Sequence, residues 1–210
     1  MSLPSDSDRS EKLILSLGTD LKPTRPLRQG TLVLVLVSLL ALAIPLGQGT
    51  AFFLSRNAFP GWWPEPALFI VWGLASAYLL SRLAFPEESS AGLIWLSFSG
   101  LLLWLGFSFG KFLAEIHTAH STHIGLCSLT LAIFSLTLGG FASFWIRKMI
   151  PGNPLIASLG ILSFLLAGSN LTLKFICPDQ SGFHIFFSHG VASIFWIAIS
   201  ALPLRNKLRW

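Results

Sequence analysis

Leu155-Ile156-Ala157-Ser158-Leu159-Gly160-Ile161-Leu162-Ser163-Phe164-Leu165-Leu166-Ala167-Gly168-Ser169-Asn170-Leu171-Thr172-Leu173-Lys174-Phe175-Ile176 is an apolar run closed by a polar turn, Cys177-Pro178-Asp179-Gln180-Ser181-Gly182; at Phe183 a second apolar run opens and lasts to Leu204. Each run is close to the roughly 20 residues an α-helix needs to cross a hydrocarbon core of about 30 Å. Neither alternates as a barrel strand does, and backbone groups in lipid must pair within a helix or a closed barrel. The stretch therefore predicts two membrane-crossing helices joined by a tight turn. Four comparable runs precede it, at Thr31 to Gly47, Pro66 to Ala84, Gly92 to Phe112 and Ile124 to Trp145, the first being the shortest. Composition agrees: 53% hydrophobic, 11% charged and a mean hydropathy of +0.70, against about 25% charged in an average soluble chain. The fold class is an all-α membrane protein, a six-transmembrane-helix bundle (residues 31–210) preceded by a short tail (residues 1–30).

Basic residues orient the bundle. With the N-terminus in the cytoplasm, Arg9, Lys12, Lys22, Arg25, Arg28, Arg82, Arg147, Lys148, Arg205, Lys207 and Arg209 fall on the inner side, leaving Arg56, Lys111 and Lys174 outside. The positive-inside rule places both termini in the cytoplasm. Although the net charge is +5, no basic face interleaved with aromatics points to nucleic acid. The polar N-terminal stretch lacks the pattern of a cleaved signal peptide. Within the tail, Asp8 and Glu11 resemble a capping box, and Leu13, Ile14, Leu17 and Leu21 recur at helical spacing until Pro23 and Pro26 stop the helix. One such short amphipathic helix is unstable alone in water. Its polar face carries acids and a single lysine, without the aromatic residues of an interfacial anchor, which favours a protein partner over the bilayer surface.

The two cysteines, Cys127 and Cys177, sit where apolar runs meet polar connections, and alternate crossings bring both to the outer side. Around them lie His117, His120, His123, His184, His189 and Asp179, the candidate metal ligands. Imidazole and thiolate together suit zinc, copper and related soft cations, although the spacing matches no zinc finger. A disulfide or redox pair is the equal alternative for the thiols; it requires Cα atoms within about 7 Å. Inert packing is a third. The runs carry no charge near their centres, which counts against an ion transporter, and there is no CxxC pair to support a thiol oxidoreductase. No nucleophile elbow, phosphate loop or paired carboxylates suggests an enzyme. Gly106 and Gly110 form a GxxxG, for which close packing inside the bundle is expected over a dimer face; a homo-oligomer stays open.

The tail Leu13-Ile14-Leu15-Ser16-Leu17-Gly18-Thr19-Asp20-Leu21-Lys22-Pro23-Thr24-Arg25-Pro26-Leu27, the Cys127 and Cys177 pair, Cys177-Pro178 followed by Ser181, Phe183 and His189-Gly190, and the basic ending Arg205 to Trp210 resemble the NrsF-like anti-sigma factors. The resemblance spans nearly the whole chain, and the tail and the Cys-Pro turn are its most specific parts. It implies a bacterial inner-membrane protein whose cytoplasmic tail, here Leu13 to Leu27 with Pro23, Arg25 and Pro26, holds an extracytoplasmic-function sigma factor. It implies further that Cys127 and Cys177 sense heavy metals or oxidants, with no cofactor needed beyond a thiophilic ion as signal. Ile176 stands where such proteins often carry a histidine, which turns attention to His184 and His189.

Overall fold

The computed structural model describes residues 29–54, 64–84, 92, 94–117 and 124–208. Among them all regular structure is helical. Six helices follow one another: α1 (Gln29–Phe53), α2 (Pro64–Leu83), α3 (Ile94–Ala114), α4 (Ile124–Ile146), α5 (Pro154–Ile176) and α6 (Gly182–Lys207). All six are long and apolar enough to cross a membrane, as the hydropathy runs require. The tail and its amphipathic stripe lie outside the described residues. The first span is longer than expected, 25 residues with Pro45 inside it. Proline removes one backbone donor, which a membrane helix tolerates when neighbouring helices satisfy the freed group, so the helix continues through Gln48-Gly49-Thr50 where the apolar signal ends.

Helix α5 is the axis of the bundle. From Gly160 to Ile176 every residue is buried, the signature of a helix apolar on all faces with protein all round it. Its few polar side chains are spent on its neighbours, and each of the other five helices makes one such contact. Thr172 Oγ1 donates to Ala43 O of α1 (3.2 Å), Trp72 Nε1 of α2 donates to Ser163 Oγ (2.7 Å) and Ser97 Oγ of α3 to the same oxygen (2.9 Å). Ser135 of α4 meets Ser169 (3.0 Å), and Asn170 Nδ2 donates to Ser193 Oγ of α6 (3.1 Å). Lipid is as apolar as leucine, so helices in a membrane associate through packing and hydrogen bonds of this kind. Close approach is specified by Gly100, where a Cβ would lie 2.5 Å from the Trp72 ring.

The GxxxG expectation is overturned. Nothing lies within 4 Å of a Cβ built on Gly106 or Gly110; the pair faces away from the bundle, because the buried face of α3 is instead Ser97, Gly100, Leu101, Trp104 and Ser108. At the end of the bundle away from Cys177, Ile150 N donates to Ala84 O (3.3 Å), joining the connection after α4 to the end of α2.

Ser163→Ala leaves the Trp72 indole without its acceptor in a dry interior. An unpaired buried donor costs about 1–3 kcal/mol in water-soluble cores, and interhelical bonds in membranes average about 0.6 kcal/mol. A loss of about 1 kcal/mol in detergent-induced unfolding is expected, without change in helix content.

Candidate functional site

The turn between α5 and α6 is built by its own side chains. Cys177 caps α5, its N–H reaching Leu173 O at 2.8 Å, and Pro178 cannot prolong the helix. Asp179 Oδ1 accepts from Ser181 N (2.9 Å), and Ser181 Oγ accepts from His184 N (3.3 Å) as the N-cap of α6. Gln180 Nε2 donates back to Cys177 O (2.7 Å). Gly182 lies against the end of α3: a Cβ there would sit 2.4 Å from Lys111 O, and its N–H donates to Glu115 Oε2 at 2.5 Å. Only glycine allows this approach.

Beyond the turn, α6 is not a uniform α-helix. Ile185–Val191 is a π-helix, and Ala192 N reaches Phe187 O, five residues back. In an α-helix, residues five apart point about 140° away from each other; an i→i+5 turn brings them one above the other. That is why His184 and His189 share a face, with ring centroids 5.5 Å apart. Ser128 Oγ of α4 donates to Ser188 O (3.1 Å), which locks α4 beside the π-turn.

Four potential ligand atoms converge there. One atom each from Cys127, Cys177, His184 and His189 lie within 4.8 Å of one another. Cys127 Sγ is 3.4 Å from Cys177 Sγ, and Cys177 Sγ is 3.2 Å from His184 Nε2. Tetrahedral bonding to a zinc-like ion, at about 2.3 Å to sulfur and 2.0–2.1 Å to nitrogen, places donors about 3.3–3.8 Å apart. These two separations lie close to that range and all four atoms fall within 4.8 Å, so the residues fit a two-thiol, two-imidazole cation site after a modest contraction. Cys177, His184 and His189 are buried and Cys127 is half-buried. The Cys177 thiol is pushed above its ordinary range, first by its hydrogen bond with Cys127 and then by burial.

Of the other candidates, Asp179 does not join the four. Its Oδ2 faces His184 Nδ1 at 3.6 Å, and Ser188 Oγ lies 3.4 Å from the same nitrogen. A carboxylate behind the far nitrogen is the usual device that fixes a ligating histidine, and Asp179 is placed to orient His184 in that way. His117 sits exposed in the turn that follows α3 and is not among the four converging residues. His120 and His123 lie outside the described residues.

Sequence reasoning missed a charged knot beside the site. Glu65, 1% exposed at the start of α2, pairs with Lys174 of α5 and with Lys111 of α3 (3.5 Å). Lys174 also donates to the Gln180 side chain and Lys111 Nζ to Gln180 O (2.7 Å). Glu65 makes these contacts as ion pairs, its oxygens lacking well-directed hydrogen bonds. The signal was present where apolar runs meet their connections: two lysines next to apolar runs, and an acid between Pro64 and Pro66 that opens another. Phe109 and Phe112 of α3 interleave with Phe183, Phe186 and Phe187 of α6 and seal the same end.

Fold and site together define a six-helix membrane protein with a soft-ligand cluster at one end of its bundle. The chain matches, over residues 17–210, the family described as NrsF, negative regulator of sigma F, and it belongs to that family. Comparison with curated proteins and with solved structures gave no match. Membership makes it a negative regulator of a sigma factor.

Two substitutions test the geometry through Cd²⁺ affinity of the full-length protein in nanodiscs. Asp179→Asn should weaken binding about 10–100-fold, the usual effect of losing the group behind a ligating histidine; Gly182→Ala should lose it while keeping helix content. Each thiol proton displaced by the ion should raise the observed affinity about tenfold per pH unit up to the thiol pKa, which lies high for Cys177. Competition titrations at several pH values read both effects.

Proposed function

We propose that the chain is a membrane-bound anti-sigma factor. It holds an extracytoplasmic-function sigma factor through residues 1–30 and releases it when a thiophilic or heavy-metal ion binds Cys127, Cys177, His184 and His189. Both termini lie in the cytoplasm of a bacterial inner membrane, and the four-ligand cluster faces the other side. The observation that carries this reading is the convergence of two sulfurs and two imidazoles within 4.8 Å in a chain whose family regulates a sigma factor negatively.

Holding rests on the apolar stripe Leu13, Ile14, Leu17 and Leu21, each buried leucine contributing about 1.5–3 kcal/mol before the cost of ordering the tail. Pro23, Arg25, Pro26 and Leu27 complete the sigma-binding stretch. Release needs a second arrangement of the bundle: a tenfold loosening takes about 1.4 kcal/mol of coupling. Helix α5 is capped by Cys177 and packs along α1, where a Cβ on Gly47 would lie 2.8 Å from Thr172 O; the tail immediately precedes α1 in the chain. The site and the tail therefore bias the same pair of helices.

A second signal suits the same sulfurs. They are 3.4 Å apart and need to close to about 2.05 Å for a disulfide. An oxidant would take two electrons and the thiols would shed two protons. The histidines separate the two signals: His189→Ala should abolish the response to Cd²⁺ and spare a response to a thiol oxidant.

In cells, Leu17→Asp should switch on the sigma factor's reporter without any signal; unchanged reporter activity would remove the tail from the mechanism. Cys127→Ser combined with Cys177→Ser should keep the reporter silent under Cd²⁺ while the protein still co-purifies with its sigma factor. A normal Cd²⁺ response from that double variant would remove the sulfurs.

A further inference from the structure

Next to the four-ligand cluster, on the bundle side, lies a small cavity of about 10 Å³ bounded by Glu65, Trp104, Asn170, Lys174, Gln180 and His189. That is about the space one water occupies. Trp104 Nε1, Asn170 Oδ1 and His189 Nε2 are buried there without a hydrogen-bond partner, and the Glu65 oxygens are held by ion pairs to Lys111 and Lys174 without a directed hydrogen bond. All belong to residues lining this one chamber. The four side chains are at most 4% exposed, and buried polar groups are nearly always satisfied.

The chemistry of the atoms is complementary. Trp104 Nε1–H can only donate. Asn170 spends its Nδ2 on Leu166 O (2.9 Å) and Ser193 Oγ (3.1 Å), so its Oδ1 is left to accept. Ionised Glu65 can only accept. Lys174 is occupied by Glu65 and Gln180. A water at the centre would receive hydrogen bonds from Trp104 Nε1–H and from a protonated His189 Nε2, and would give its own two protons to Asn170 Oδ1 and Glu65. Four partners, two of each kind, complete its coordination.

We propose that this chamber binds a single water through which Glu65 becomes the positioning carboxylate of His189, as Asp179 is for His184. The water holds the His189 proton on Nε2 and leaves the Nδ1 lone pair for the sulfur cluster. This deepens the reading of His189 as a cation ligand and rests on it. It also ties that ligand to the carboxylate that clamps Lys111 and Lys174, so the cation site and the packing of α2, α3 and α5 share one residue.

The test uses full-length protein in nanodiscs with ¹⁵N-labelled histidine, His189 being assigned by its loss in His189→Gln. In the cation-free wild type, the expected spectrum has the His189 proton on Nε2 and a cross-relaxation peak from that proton to a water. Trp104→Phe, which removes one donor and keeps the ring packed on Phe69, should shift or abolish that peak and weaken Cd²⁺ binding about 10–100-fold; Gly106→Ala, at an open position, should change neither. A proton on Nδ1, no water contact, or a Trp104→Phe spectrum identical to wild type would overturn the proposal. The wild-type spectrum decides even if the variant fails to fold. The expected spectrum without any Cd²⁺ binding would uphold the water and reject the cation reading.

Discussion

The encirclement of α5 is the constraint on which the rest of the structure depends. A helix buried on every side from Gly160 to Ile176 has no lipid-facing surface to slide on, and its polar side chains fix its height and rotation against all five neighbours. Because Cys177 is the residue that ends it, the position of one sulfur is set by the whole bundle. The reverse also holds. A force applied at Cys177 acts on the helix that touches everything else.

The end of the bundle that carries Cys177 concentrates this dependence. Glu65 joins α2 to α3 and α5 through two lysines, and both lysines hold Gln180 in the turn that carries Cys177. Charges this deeply buried are costly unless paired, and removing one partner of such a set is far more damaging than the set itself is stabilising. The turn is thereby fastened from three sides: by ion-paired lysines, by Glu115 on Gly182 and by the phenylalanine cluster. A site held this firmly is prepared for a ligand of fixed geometry, since the cost of ordering the donors is met on folding. Regulation then requires that the ligand favour a somewhat different arrangement of the same helices, because a ligand indifferent to two states shifts neither.

Much of this was legible in the sequence. The six spans followed from run length and the lack of alternation, and the common location of the sulfurs followed from counting crossings. Cys127 and Cys177 were singled out, and His184 and His189 stood among the candidates. Their union on one face was not readable, since at α-helical spacing they diverge; the π-turn at Ile185–Val191 is a tertiary product, stabilised by neighbours such as Ser128. His117 lies in the turn that ends α3, and the face it was expected to share with His120 and His123 falls on residues outside those described. Asp179 was placed among the ligands because sequence proximity does not say which nitrogen of His184 it faces. The outward turn of Gly106 and Gly110 escaped for a similar reason: a small-residue motif marks a surface that permits close approach without saying which way it points. Glu65 was silent for lack of a visible partner, its lysines being far away in the chain.

The central claim is that occupancy of the sulfur–imidazole cluster and grip on the sigma factor are coupled through one bundle. The direct measurement is the affinity of the purified full-length protein, in nanodiscs, for its sigma factor with and without one equivalent of Cd²⁺ per chain. Coupling predicts an affinity at least tenfold weaker with the ion bound and, by reciprocity, Cd²⁺ bound weaker by the same factor in the complex. Equal affinities, with Cd²⁺ demonstrably on the protein, would contradict the account.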